Sequence, residues 1–168
     1  AALKDDGSVV TWGISDRGGN SSGVADQLSS GVDQIYSTYY SFAALKDDGS
    51  VVTWGDSGLG GNSSGVADQL SSGVDKIFST THAFAALKED GSVVTWGSSE
   101  RGGDSSGVTD QLSSGVDQIF SAASAFAALK DDGSVVTWGN QLTGGDSSGV
   151  ADQLSSGVDT IFSADSAF

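Results

Sequence analysis

The chain repeats itself every 42 residues: Ala1, Ala43, Ala85 and Ala127 open four segments that align without insertion or deletion across all 168 positions. Of the 42 aligned columns, 29 hold the same residue in every copy and 13 vary. A unit this short is at the lower limit of independent stability, so each copy has to bury its apolar surface against its neighbours. The expectation is one repeat domain over 1–168, built from units 1–42, 43–84, 85–126 and 127–168.

The second copy shows how a unit is built. Phe42-Ala43-Ala44-Leu45-Lys46 and Ser50-Val51-Val52-Thr53-Trp54-Gly55 are two strand-like runs joined by Asp47-Asp48-Gly49. Glycine in that turn supplies the positive φ that a tight hairpin needs, and the aspartates can accept from nearby amides. After the loop Asp56–Asn62, Val66 and Leu70 lie four apart, with Ser64 as a candidate N-cap and Gly73 as a candidate C′ residue. That spacing predicts a short helix of two turns or fewer, with an extended outer strand as the alternative. Asp75-Lys76-Ile77-Phe78-Ser79 is a further strand leading into the next hairpin. In chain order the unit is strand A (Ile-Phe), strand B (Phe-Ala-Ala-Leu) and strand C (Val-Val-Thr-Trp). Strands B and C are apolar on both faces and have to be sandwiched. Small sheets stacked around an axis, as in a propeller, or along a line, as in a solenoid, meet that need.

The series Ile-Phe-Ser, four residues, then Phe-Ala-Ala-Leu-Lys-Asp-Asp-Gly-Ser-Val-Val-Thr-Trp-Gly resembles the regulator of chromosome condensation repeat. Ala44-Leu45, Gly49 and Trp54-Gly55 carry the resemblance, with equivalents in every copy. It covers about half of each unit. The resemblance implies an all-β fold, a β-propeller of four 42-residue repeats with three to four strands per blade. The family's blades are longer and usually number seven, so an open solenoid and half of an eight-bladed ring stand as alternatives. Guanine-nucleotide exchange is not implied, because no residue here can be matched to an exchange surface. Phe168 would be followed in phase by Ala1, so in a closed ring the last strand A pairs with the first strand B and hides two edges.

Composition narrows the function classes. A net charge of −15, with only 7 Lys and Arg, opposes nucleic acid and anionic membranes, which are held through basic side chains. No apolar run is long enough for membrane insertion. Without cysteine there is no disulfide framework and no thiolate chemistry. Acidity with abundant Ser and Gly fits an extracellular or cell-surface setting.

Eight of the 13 variable columns fall in two blocks, Ile14–Arg17 and Thr38–Ser41 in the first copy. If strand A runs up and B down, the A–B turn and the segment after strand C share one edge, opposite the near-invariant Asp-Asp-Gly turns. The candidate binding face therefore comprises Ile14, Asp16, Arg17, Tyr39, Tyr40, Asp56, Leu59, Thr81, His82, Glu100, Arg101, Gln141, Leu142 and Asp165. Diversified loops on a constant scaffold are a common way to build a binding surface, and drift in unconstrained loops is the competing explanation.

No catalytic, cofactor or metal site is expected. The four tryptophans are assigned to packing between blades rather than to ligand stacking. Tyr39 and Tyr40 are the better sugar-stacking candidates. His82 has no repeated hydroxyl or carboxylate partner for a catalytic triad. Asp47-Asp48-Gly49-Ser50 lacks the alternating spacing of a calcium loop. Gly60-Gly61 is not followed by the Lys-Ser/Thr of a phosphate loop. The functional expectation is a non-enzymatic repeat scaffold for protein binding or self-assembly that completes a ring or array. A carbohydrate-binding lectin is the alternative, and a purely structural or consensus-designed array segment is the third reading.

Overall fold

A computed structural model describes residues 1–168. The chain is all-β apart from short 3-10 turns, and its strands form a propeller-like row of four antiparallel sheets. Sheet I has two strands, β1 (Ala2–Leu3) and β2 (Val9–Val10). Sheet II contains β3 (Val32–Ser37), β4 (Ser41–Lys46) and β5 (Val51–Gly55). Sheet III contains β6 (Val74–Ser79), β7 (Ala83–Lys88) and β8 (Val93–Gly97). Sheet IV contains β9 (Val116–Ser121), β10 (Ala125–Lys130) and β11 (Val135–Gly139). In each three-stranded sheet the middle strand is strand B, flanked by strands A and C. Each three-stranded sheet takes strand A from one 42-residue unit and strands B and C from the next.

The hairpins form as their residues dictate. Gly49 sits at φ 73°, which closes the tight turn between β4 and β5 without the Cβ penalty that any other residue would carry. Asp48 Oδ1 fixes the turn by accepting from the Ser50 amide at 3.0 Å and the Ser50 hydroxyl at 2.6 Å. The same pair of bonds recurs at Asp6, Asp90 and Asp132.

The predicted short helix forms, as 3-10 rather than α structure. Ser64–Val66 is a 3-10 turn, and one longer-range bond, Leu70 N–H to Val66 C=O at 3.1 Å, extends it. Ser64 is inside the turn and caps nothing; Asn62 Oδ1 accepts from the Ser64 amide at 2.9 Å instead. Gly73 follows the segment at φ 72°. In the fourth copy the 3-10 segment is longer, Ser148–Leu154.

The apolar core consists of layers between sheets. One layer joins Ala83, Ala85 and Leu87 of sheet III to Phe126, Ala128, Val136 and Trp138 of sheet IV, with Leu112, Val116 and Ile119 filling in. A second joins sheets II and III in the same columns, and a smaller third joins sheets I and II. Fully burying a Leu, Ile, Val or Phe side chain stabilises by about 1.5–3 kcal/mol. Stability therefore depends on contact between copies rather than within them.

The pairing expected of a closed ring is not made. Residues 158–163 belong to no strand, and β1 pairs with β2 alone. Sheet I consequently lacks its strand A.

Candidate functional site

The A–B turns and the segments after strand C meet at one edge of the row. Ser41 lies opposite Gly55 in the ladder, and the next amide, Asp56 N–H, donates to Tyr40 C=O at 2.9 Å. Ser98 N–H bonds His82 C=O at 3.0 Å and Asn140 N–H bonds Ser124 C=O at 2.9 Å in the same way. Each three-stranded sheet thus ties its two variable blocks together through the backbone, so their side chains can differ without disturbing the join.

Equivalent turns are also linked from sheet to sheet. Tyr39 N–H donates to Thr81 C=O at 3.0 Å, Thr81 N–H to Ala123 C=O at 3.0 Å, and Ala123 N–H to Asp165 C=O at 2.9 Å. These four residues and the two preceding each line a concave depression of about 540 Å³. Its walls are mostly small hydroxyl and methyl side chains, including the invariant Ser37, Ser79, Ser121 and Ser163. One larger depression of about 720 Å³ between the third and fourth copies and one smaller, of about 430 Å³, between the first and second are lined largely by invariant columns and belong to the scaffold.

At one end of the central depression the variable side chains cluster. The Tyr39 and His82 rings are 5.6 Å apart, Tyr40 and His82 5.5 Å, and Tyr39 and Tyr40 6.3 Å. The Arg17 guanidinium stands 4.5 Å above the Tyr40 ring, reaching from sheet I to sheet II. Arg101 repeats that reach two copies on, donating to Ser124 Oγ at 2.9 Å. Both arginines of this strongly acidic chain therefore stand on the variable edge.

The His82 tautomer follows from its neighbour. Thr81 Oγ1 donates its only proton to Ala123 C=O at 2.8 Å and lies 2.7 Å from His82 Nδ1. Nδ1 must then be the donor, which leaves the Nε2 lone pair free. Burial, followed by the nearby Arg101 charge, holds the imidazole below its ordinary pKa, while Asp56 opposes the shift. The lowered pKa favours the neutral ring, which in this tautomer presents an acceptor at Nε2.

The remaining candidates are dispersed along the same edge. Asp56 Oδ1 accepts from Gly58 N–H at 2.9 Å and holds its 3-10 turn in place. The Leu59 carbonyl accepts from Ser41 Oγ at 2.6 Å, so part of that residue serves the scaffold. Asp16, Glu100, Gln141 and Asp165 are exposed. So are three large apolar or aromatic side chains: Ile14 at 62%, Tyr39 at 71% and Leu142 at 92%. Sequence reasoning missed the serine column that lines the depression. An invariant hydroxyl immediately before a variable block was the available signal. No group of three or more His, Asp or Glu side chains is arranged to hold a metal ion.

These features define a propeller-like repeat protein with a diversified edge. No family model and no curated protein matches the chain. Several solved structures are similar to it, and they include yeast RCC1 (Prp20). Saccharomyces cerevisiae Prp20p, described with its binding to Gsp1p and histones, is 21% identical with a TM-score of 0.45, over 67% of this chain and 31% of that one. Human WBSCR16 is 23% identical, TM-score 0.45, over 82% and 44% respectively. The ectodomain of the Physcomitrella patens receptor kinase CR4 is 18% identical, TM-score 0.45, over 68% and 31%. The chain spans less than half the length of each of these proteins.

Proposed function

We propose that this chain is a non-enzymatic scaffold of the β-propeller type that binds a protein partner through its variable edge. The observation that carries the reading is the composition of that edge. Exposed Ile14, Tyr39 and Leu142 stand with both arginines on a surface otherwise dominated by carboxylates and hydroxyls. Aromatic and arginine side chains are the groups that protein interfaces concentrate, since both bury large areas and keep a directional polar contact. The constant columns hold the sheets and leave the edge free to vary.

The test is a block exchange. The first copy's Ile14–Arg17 and Thr38–Ser41 are replaced by the third copy's residues, and both chains are used for proximity labelling. Partners labelled by the natural chain and lost from the exchanged one support the reading. Identical partners for both chains would sink it and favour a purely structural array.

A lectin is the second reading, supported by Tyr39, which is 71% exposed at the rim of the hydroxyl-lined depression. Aromatic faces stack on the C–H faces of sugars, and hydroxyls position their oxygens. Glycan-array binding that disappears in Tyr39→Ala would favour this reading over a protein partner.

A further inference from the structure

One column of the repeat divides the four copies into two pairs. It holds Asn20, Asn62, Asp104 and Asp146, each followed by two serines. The side chain makes the same local turn in all four. Its Oδ1 accepts from the amide two residues on, that of Ser22, Ser64, Ser106 or Ser148, at 2.9 Å. Aspartate therefore serves this turn as well as asparagine does, and the fold makes no use of the Asn20 and Asn62 amide nitrogens. Asn-x-Ser with x other than proline is the acceptor pattern for an N-linked sugar, and it requires a surface loop. The chain carries it as Asn20-Ser21-Ser22 and Asn62-Ser63-Ser64.

The structure supplies what that chemistry asks of the motif. Asn20, Ser22, Asn62 and Ser64 are exposed. Of each asparagine carboxamide only Oδ1 is engaged, which leaves Nδ2 free. The middle serines turn the other way: Ser21 and Ser63 Oγ lie 3.0 Å from Thr11 and Thr53 Oγ1 and pin the loop without using the motif's first or third residue. Gly23 and Gly65 follow, and nothing lies within 4 Å of where a Cβ would stand at either, so an attached sugar meets open solvent. In the third and fourth copies the amide and then the hydroxyl of the serine two residues on hold Asp104 and Asp146 below the usual aspartate range. That hydroxyl therefore lies beside the side chain of this column.

We infer that Asn20 and Asn62 are acceptor sites for an N-linked oligosaccharide, and that the third and fourth copies stay bare. The donor is a sugar carried on a lipid diphosphate and presented by a glycosyltransferase. The Nδ2–C1 bond forms as the C1–O bond to the diphosphate breaks; the diphosphate leaves with the electron pair, and Nδ2 gives up one proton. The Ser22 and Ser64 amides on Oδ1 stabilise the negative charge that builds there as the proton leaves. Asn140 is the internal contrast. Its Oδ1 makes the same bond, from Leu142 N–H at 3.0 Å, but no hydroxyl stands two residues on. Asn20 and Asn62 each lie three residues beyond a variable block, after Arg17 and Leu59. The sugars thus flank the variable edge in the first two copies and leave the Arg101 and Leu142 half uncovered, whatever that edge binds.

The test is mass spectrometry of the full chain secreted from a eukaryotic cell behind a cleavable signal sequence. The natural chain should carry two glycans, and an amidase that cuts the sugar–asparagine bond should leave aspartate at positions 20 and 62 with Asn140 unchanged. Asn62→Asp should lose one glycan and keep the natural circular dichroism, because Asp104 and Asp146 already make that turn. Ser64→Ala, which keeps both Asn62 and the backbone amide, should lose the same glycan. Asp104→Asn should gain a third. A natural chain secreted without sugar, a glycan at Asn62 that survives Ser64→Ala, sugar on Asn140, or an Asp104→Asn chain with no third glycan would each overturn the inference.

Discussion

The indole N–H of Trp54 in sheet II donates to the carbonyl of Gly18 in the loop of sheet I, 36 positions earlier in the chain and 3.1 Å away. One side chain thus packs a sheet, stacks on Phe42 and satisfies a backbone acceptor in the neighbouring copy. Because the bond recurs at Trp96 and Trp138, the tryptophan column is a repeated polar link between sheets as well as part of the apolar one.

Trp96→Phe separates these two roles. The substitution keeps an aromatic ring against Phe84 but removes the donor to the buried Gly60 carbonyl. An unmatched buried acceptor costs about 1–3 kcal/mol. Trp96→Ala also opens a cavity and should cost about 3–5 kcal/mol. Urea denaturation followed by circular dichroism should rank natural, Phe and Ala in that order. Equal midpoints for the natural and Phe chains would show that the bond contributes nothing.

Two glycines only five positions apart should respond in opposite directions to alanine. Gly60 has φ 109°, and an added Cβ would lie 2.7 Å from two ring atoms of Phe84. Gly60→Ala should destabilise by roughly 1–3 kcal/mol through overpacking and backbone strain. Gly65 has negative φ and nothing within 4 Å of such a Cβ. Gly65→Ala should raise the midpoint slightly, by about 0.4–1 kcal/mol, by restricting the unfolded chain.

Those two positions also illustrate what the sequence could and could not disclose. The hairpins were legible because Asp-Asp-Gly specifies a turn from local chemistry, and the variable edge because strand direction alternates. The short helix was legible from the spacing of Val66 and Leu70, but its cap was not: Asn62, rather than Ser64, supplies the side-chain acceptor at its start. Ring closure was not legible at all. The rotation between sheets is set by how Phe84, Trp96 and Leu70 pack, and no residue pattern encodes that angle directly. At the candidate site, the pairing of Tyr40 with Arg17 and His82 required knowing which copies become neighbours.

The turn carboxylates should make the protein acid-sensitive only at low pH. Hydrogen bonds from the serine hydroxyl and then the serine amide hold Asp48, Asp90 and Asp132 below the usual aspartate pKa. A depressed folded value means that the contribution is complete above the unfolded pKa, about 3.9. It is lost as pH falls through the lower folded value. Carboxyl titration by NMR should place Asp48 below an ordinary aspartate, and Ser50→Ala should move it back up. An unmoved Asp48 would show that the hydroxyl bond is not the cause.

His82 gives the variable edge its own pH response. Its folded pKa lies below the ordinary histidine value, chiefly through burial and secondarily through Arg101. The folded chain therefore binds fewer protons than the unfolded one as pH drops below about 6.5, and stability contributed by neutral His82 is lost as pH falls through its folded pKa. Arg101→Ala removes the second cause and should raise the midpoint of the His82 imidazole resonances in an NMR titration. An unchanged midpoint would leave burial as the whole explanation.

The contrast between Trp12 and the other three tryptophans gives an optical reading of the open end. With 67% exposure against 4%, Trp12 should supply nearly all the fluorescence that acrylamide quenches in the dilute chain. Trp12→Phe should remove that quenchable fraction and shift the remaining emission to shorter wavelength, because the three survivors are enclosed by phenylalanine rings and apolar side chains. Quenching left unchanged by Trp12→Phe would show that another tryptophan is open to solvent.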